Sequence, residues 1–146
     1  MKISDLLSPT DVMIDVRASQ KGPLLQELAA KAAASLGLPV DQVASCLLKR
    51  ENLGSTGIGK GIAIPHARLP DLKRPHGLLA KLKQGIEFDA IDGQAVDVLF
   101  VLLLPAGAEN DALAALALVA RTLRSPEMLA QLRAAKNPVE LYDAMT

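Results

Sequence analysis

Only two histidines and one cysteine occur among the 146 residues, so nucleophilic chemistry near neutral pH narrows quickly. His66 stands in the stretch Gly57-Ile58-Gly59-Lys60-Gly61-Ile62-Ala63-Ile64-Pro65-His66-Ala67. A glycine-rich, flexible segment runs into a short apolar run of strand type. A proline then stops the pattern, and the histidine follows with a small residue beside it. That order places one imidazole at the mouth of a buried strand. A neutral imidazole is a nucleophile and titrates close to neutrality. Pro65 fixes the backbone before it, Ala67 leaves room for a bulky partner, and the glycines let backbone N–H groups approach an anion. The plainer alternative is a structural or solvated histidine. Arg50, in Lys49-Arg50-Glu51 at the end of a helical pattern, also has two readings. It complements a helix dipole, or it forms a fork that grips a phosphoryl group beside His66, and spacing does not choose between them.

Gly54-Ser55-Thr56-Gly57-Ile58-Gly59-Lys60 satisfies all but the end of a phosphate-binding P-loop. Gly61 stands where the magnesium-binding hydroxyl belongs, and the order helix-then-strand is the reverse of what a P-loop needs. Nucleotide hydrolysis is therefore disfavoured. His76, in Arg74-Pro75-His76-Gly77, reads as an exposed, solvated turn residue. Cys46 falls on an apolar helix face and reads as core rather than reactive. One cysteine and two separated histidines make no zinc site. Asp89, Asp92 and Asp97 surround a turn and a strand start without a pattern that marks a catalytic pair, and Ser55 lacks a nucleophile elbow.

Sixteen basic and sixteen acidic residues cancel, and aromatics make up 2%, which argues against a nucleic-acid partner. The core must be built from Leu, Ala, Val and Ile. A single cysteine fits a reducing compartment. The start Met1-Lys2-Ile3-Ser4-Asp5 lacks the apolar centre of a signal peptide. The apolar runs 98–105 and 112–120 fall short of the ~20 residues that span a bilayer, so no membrane insertion and a cytoplasmic location are expected.

Strands are expected at 12–16, 62–65, 78–82 and 96–104, the last apolar enough to be covered on both faces. Helices are expected from Pro23 to about Leu36-Gly37, from Pro39 to Leu53-Gly54, from Asp111 to Leu123, from Ser125-Pro126 to about Ala135, and from Pro138 to Met145. Loops fill 69–75 and 106–110, and a turn-rich excursion fills 88–93. The apolar run 112–120 reads as core rather than interface. The pattern predicts one α/β domain over residues 1–146, a three-layer α/β/α sandwich around a mixed sheet of roughly five strands.

The stretch from Glu51 to Ala67 resembles the phosphorylation-site signature of the fructose/mannitol class of enzyme IIA in the bacterial phosphoenolpyruvate phosphotransferase system. Glu51, Ile58, Gly59, Ile62, Ala63, Ile64, Pro65, His66 and Ala67 fit every place of it. Phe88-Asp89-Ala90-Ile91-Asp92, Leu116-Ala117-Leu118-Val119-Ala120 and Leu141-Tyr142 are similar to the nitrogen-regulatory, free-standing branch. The resemblance implies that His66 accepts a phosphoryl group from an HPr-like carrier and that Arg50 helps bind it, with no cofactor or metal. Backbone N–H groups of Ile58, Gly59 and Gly61 and the hydroxyls of Ser55 and Thr56 are then expected to hydrogen-bond the phosphoryl oxygens. The alternative for those hydroxyls is a turn. Sugar-type relatives, and some nitrogen-type ones, carry a second histidine at the start of the helix after the central strand, at the place of Ala112 here. Two outputs follow: docking onto regulatory target proteins, or transfer onward to a IIB domain.

Overall fold

The apolar run near residue 100 becomes the middle of the sheet. A computed structural model of the chain describes residues 1–107 and 109–146. In order these form α1 (Ile3–Leu6), a 3-10 turn (Pro9–Asp11), β1 (Val12–Val16), α2 (Lys21–Leu36), α3 (Val40–Leu53), β2 (Gly57–Gly59), β3 (Ile62–Ala63) and β4 (His66–Leu69). They continue with β5 (His76–Ile86), β6 (Val96–Pro105), α4 (Glu109–Arg124), α5 (Pro126–Ala134) and α6 (Pro138–Met145). Six strands join in one mixed sheet in the order β1-β5-β6-β3-β2, with β4 also paired to β6. The loop expected at 106–110 is cut short by α4, and its Ala108 lies outside the described residues.

Successive residues of β6 alternate between two apolar layers. Leu99, Val101 and Leu103 pack with α2 and α3, while Phe100, Leu102 and Leu104 pack with α4, α5 and α6. Burial on both faces is why β6 shows no polar alternation. α2 turns Leu24, Leu25, Leu28 and Ala32 inward. It stops at Gly37, whose φ of 69° only glycine adopts cheaply.

The glycine-rich segment is the main correction to the sequence reading. It is an ordered hairpin: β2 runs antiparallel to β3, with Gly59 opposite Ile62 and Lys60-Gly61 as a two-residue turn. Both turn residues have positive φ, 59° and 79°, the geometry that suits the twist of a tight hairpin. Gly57 is required for another reason. A Cβ there would lie 2.8 Å from the Cβ of Ala90, so the 88–92 excursion could not close over the hairpin.

β3 and β4 behave as one strand with a break at Ile64-Pro65. β3 runs parallel to the start of β6 and β4 parallel to its end, with His66 opposite Leu102. Pro65 has no N–H to donate, and its carbonyl accepts the Leu102 N–H at 2.9 Å. His66 therefore opens a new strand segment instead of following the end of one. β5 exceeds the expected 78–82 at both ends and starts at His76 itself.

Candidate functional site

β4 forms an edge beside β6, so a side chain on it can be reached from both helical layers. α3 supplies one wall through Lys49 and Arg50, and α4 the other through Leu113 and Leu116, around a cleft of about 580 Å³ that contains His66 and Arg68. Leu113 is 60% exposed, so α4 shows an apolar stripe to this cleft, contrary to the expectation that 112–120 is all core. Ala112 is fully buried and packs in the α4–α6 layer. Cys46 is half-buried, packs against the α2–α3 layer and also lines the cleft.

The imidazole of His66 is held at both nitrogens. Nδ1 lies 2.9 Å from the Ile64 carbonyl, which can only accept, so the ring proton sits on Nδ1. Arg50 donates its Nε–H to Nε2 at 3.3 Å, which requires a lone pair there. Burial is the largest influence on the ring and holds its pKa below the usual histidine value of 6.5. The Ile64 carbonyl and Glu51 push it up, whereas Arg50 and Arg68 push it further down. The result is a neutral ring at neutral pH whose Nε2 lone pair is turned to a cation. That arrangement suits attack on an electrophile carrying negative charge.

Arg50 is placed for this by local structure. It lies in the last turn of α3, and its Nη1 donates to the Gly54 carbonyl at 2.8 Å, which fixes the fork's direction. The neighbouring Glu51 is buried. It accepts the Thr56 backbone N–H at 2.8 Å and the Thr56 hydroxyl at 2.6 Å, and pairs with Lys21 Nζ at 2.8 Å. Lys21 also stands 4.7 Å over the Phe88 ring. This buried tie locks the end of α3 to the hairpin and so sets Arg50 against His66. Sequence reasoning missed Lys21, since nothing near it in the chain marks it. Glu51 was visible only as the first place of the phosphorylation signature.

The other expected anion ligands are not brought to the ring. The Ser55 hydroxyl donates to the Phe88 carbonyl and accepts the Gly57 N–H, and the Thr56 hydroxyl is held by Glu51. Ile58 packs against the α4–α6 layer. Gly59 and Gly61 belong to the hairpin tip, level with Val98, whereas His66 is level with Leu102. Four residues of strand, roughly 13 Å, separate the two levels. The tip is tied down elsewhere, with the Lys60 N–H on Asp92 and the Lys60 carbonyl on Arg133. The element that follows this hairpin is strand β4, not the helix that a P-loop needs. Beside Lys49 and Arg50 the cleft holds Arg68, two residues beyond His66 and ion-paired to Glu109, and no motif announced it.

His76 also departs from expectation. It is half-buried at the start of β5, with Nε2 3.7 Å from the Asp11 carboxylate, and this nitrogen has no hydrogen-bond partner among the described residues. Burial lowers its pKa most, Asp11 opposes and Arg74 assists. Among the described residues no helix is long and apolar enough to cross a membrane, and no cluster of three metal-ligating side chains occurs.

A mixed sheet with a cation-flanked, neutral imidazole on its edge is a framework that suits a carrier of anionic groups. Residues 5–146 match the family described as phosphoenolpyruvate-dependent sugar phosphotransferase system, EIIA 2, and the chain belongs to it. It is a phosphocarrier of the phosphotransferase-system type. A nitrogen regulatory protein of Bradyrhizobium diazoefficiens is 43% identical over 99% of this chain and 95% of its own length. The Escherichia coli K12 nitrogen regulatory protein is 41% identical, covering 100% of this chain and 90% of its own length. The crystal structure of the nitrogen regulatory protein IIA-Ntr from Neisseria meningitidis superposes with a TM-score of 0.92 at 30% identity, over 99% of each chain.

Proposed function

We propose that this protein accepts a phosphoryl group from an HPr-like carrier on Nε2 of His66 and works in the cytoplasm as a nitrogen-regulatory signal, docking to target proteins according to its phosphorylation state. The observation that carries this is the pinned tautomer: Ile64 holds the Nδ1 proton, and Nε2 points its lone pair at Arg50 in an open cleft.

In the reaction the Arg50 Nε–H leaves Nε2 for the incoming phosphoryl oxygens, and the freed lone pair attacks phosphorus in line while the P–N bond of the donor phosphohistidine breaks. The donor ring, protonated on its other nitrogen, leaves as neutral imidazole. His66 keeps its Nδ1 proton on the Ile64 carbonyl and becomes a phosphoimidazolium, so no proton has to be lost. Loose phosphoryl transfer rewards positioning and charge stabilisation, which the Arg50 fork supplies at the equatorial oxygens. We assign no phosphate contact to Ser55, Thr56, Ile58, Gly59 or Gly61, whose polar groups are committed or distant. A histidine-to-histidine exchange has little driving force, so the phosphorylated fraction follows the donor pool.

The phosphoryl oxygens of the product carry about two negative charges, and the imidazolium offsets one of them, on a chain whose own charges cancel. At a rim formed by Leu113 and Leu116, that change expels one partner and admits another. Support for the signalling output comes from relatives named for nitrogen regulation that match this chain along nearly its whole length. The test is incubation with enzyme I, an HPr-like protein and phosphoenolpyruvate. An acid-labile, alkali-stable label is expected on the wild type and absent from His66→Ala. A label that persists in the variant overturns the assignment. Adding IIB domains to the phospho-protein separates the outputs: inertness supports signalling, and rapid loss of phosphate supports a sugar relay.

A further inference from the structure

The cleft holds a cation that the proposed reaction has not used. Arg68 and His66 are two residues apart on β4, so their side chains leave the same face, with backbones roughly 6.7 Å apart. Both line the same cleft, and Arg68 is one of two cations that weigh on the imidazole. In the resting protein Arg68 is taken by Glu109, in the first turn of α4. Lys49 lines the cleft too, but from α3 and without that influence on the ring.

We infer that Arg68 is a second phosphoryl-binding residue and Glu109 its resting partner: phosphorylation of His66 moves Arg68 from Glu109 to the phosphoryl oxygens. The inference rests on His66 being the acceptor. Its physical basis is a competition between two anions for one guanidinium. The Arg68–Glu109 pair is solvent-exposed, 39% and 64% at the two side chains, and such pairs are weak. A phosphoryl group carries about twice the charge of a carboxylate and presents three oxygens to a planar fork. Exchange therefore binds the phosphate and, in the same motion, releases a carboxylate at the mouth of α4, beside Leu113. The phosphorylation signal thus includes a rearranged ion pair as well as added charge.

Removal of the two partners has opposite consequences. Arg68→Gln is expected to lower the phosphorylated fraction and shorten the phospho-form's half-life by roughly tenfold, with Arg68→Lys restoring part of it. Glu109→Gln frees Arg68 and is expected to raise both by roughly threefold. The double variant should match Arg68→Gln, because Glu109 acts only through Arg68. Each protein is loaded in parallel by the HPr-like donor and by phosphoramidate, a chemical donor that transfers its phosphoryl group to imidazole with release of ammonia. Phosphorus NMR follows the label. An Arg68→Gln phospho-form as long-lived as the wild type overturns the inference, as does a Glu109→Gln change in the same direction as Arg68→Gln. If the HPr-like donor fails and phosphoramidate still labels His66, the carrier reading falls while the arginine exchange is still measured. If neither labels His66, both fall.

Discussion

His66 and His76 face β6 from opposite sides at nearly the same level, one opposite Leu102 and the other opposite Leu103. Adjacent positions of β6 point to opposite layers, so the first ring belongs to the α4 side and the second to the α2 side. Both are half-buried, and burial lowers both pKa values. What differs is the company. His66 has a carbonyl on Nδ1 and an arginine on Nε2, with an open cleft beyond. His76 has a buried carboxylate, Asp11, opposite its Nε2. Cations around a neutral ring prepare a place for incoming negative charge. A carboxylate beside a ring repels such charge and rewards a proton instead. Histidine with a low pKa is thus no guide to function until the sign of its neighbours is known.

That contrast is broken most severely at the rings themselves. His66→Ala should abolish phosphorylation by the HPr-like donor, whereas His76→Ala should leave the rate within about twofold, since only the first ring offers a lone pair to the cleft. Equal loss in both variants would remove the distinction. Next in size is Arg50→Gln. Loss of one preorganised donor to a transferring group costs about 100-fold in rate. Rapid-quench transfer assays with unchanged circular dichroism measure it, and a loss below about threefold would take Arg50 out of the reaction.

On the other side of the sheet, Asp11→Asn should leave transfer intact but lower stability by about 1–2 kcal/mol. Asp11 is only 2% exposed, holds the Ser35 hydroxyl and balances His76. Urea unfolding would report it, and a slowed transfer would contradict the separation of the two sites. The smallest effects lie in the titrations. Proton NMR should place both midpoints below 6.5. Arg50→Gln should raise that of His66 alone, and Asp11→Asn should lower that of His76 alone. Both rings take up a proton less readily folded than unfolded. Their contribution to stability is therefore full above the unfolded pKa and declines as pH falls below about 6.5.

The same contrast explains what the sequence could reveal. His66 was legible because its chemistry is local: Pro65, Ala67 and the apolar residues before it are consecutive. The helices were legible because α2 carries its leucines at helical spacing and ends on Gly37, and because Pro126 and Pro138 begin α5 and α6. The environment of His76 was hidden, since Asp11, which also holds Ser35, reaches it only through the tertiary fold. The hairpin was hidden because glycines with positive φ look the same in a tight turn and in an anion cradle. α4 was misread for want of bulk: a helix of alanines and leucines shows no obvious polar side, and only packing reveals that Ala112 is interior and Leu113 is not. Arg68 had no signal beyond its alternation with His66. Its pairing with Glu109 depends on α4 returning to the end of β4.

The central claim is that one nitrogen of one ring takes the phosphoryl group. Nitrogen-15 and phosphorus NMR of the enzymatically phosphorylated protein measures this directly. The account predicts a single phosphohistidine with phosphorus on Nε2 of His66 and the proton still on Nδ1. Phosphorus on Nδ1, or on any other residue, would contradict it.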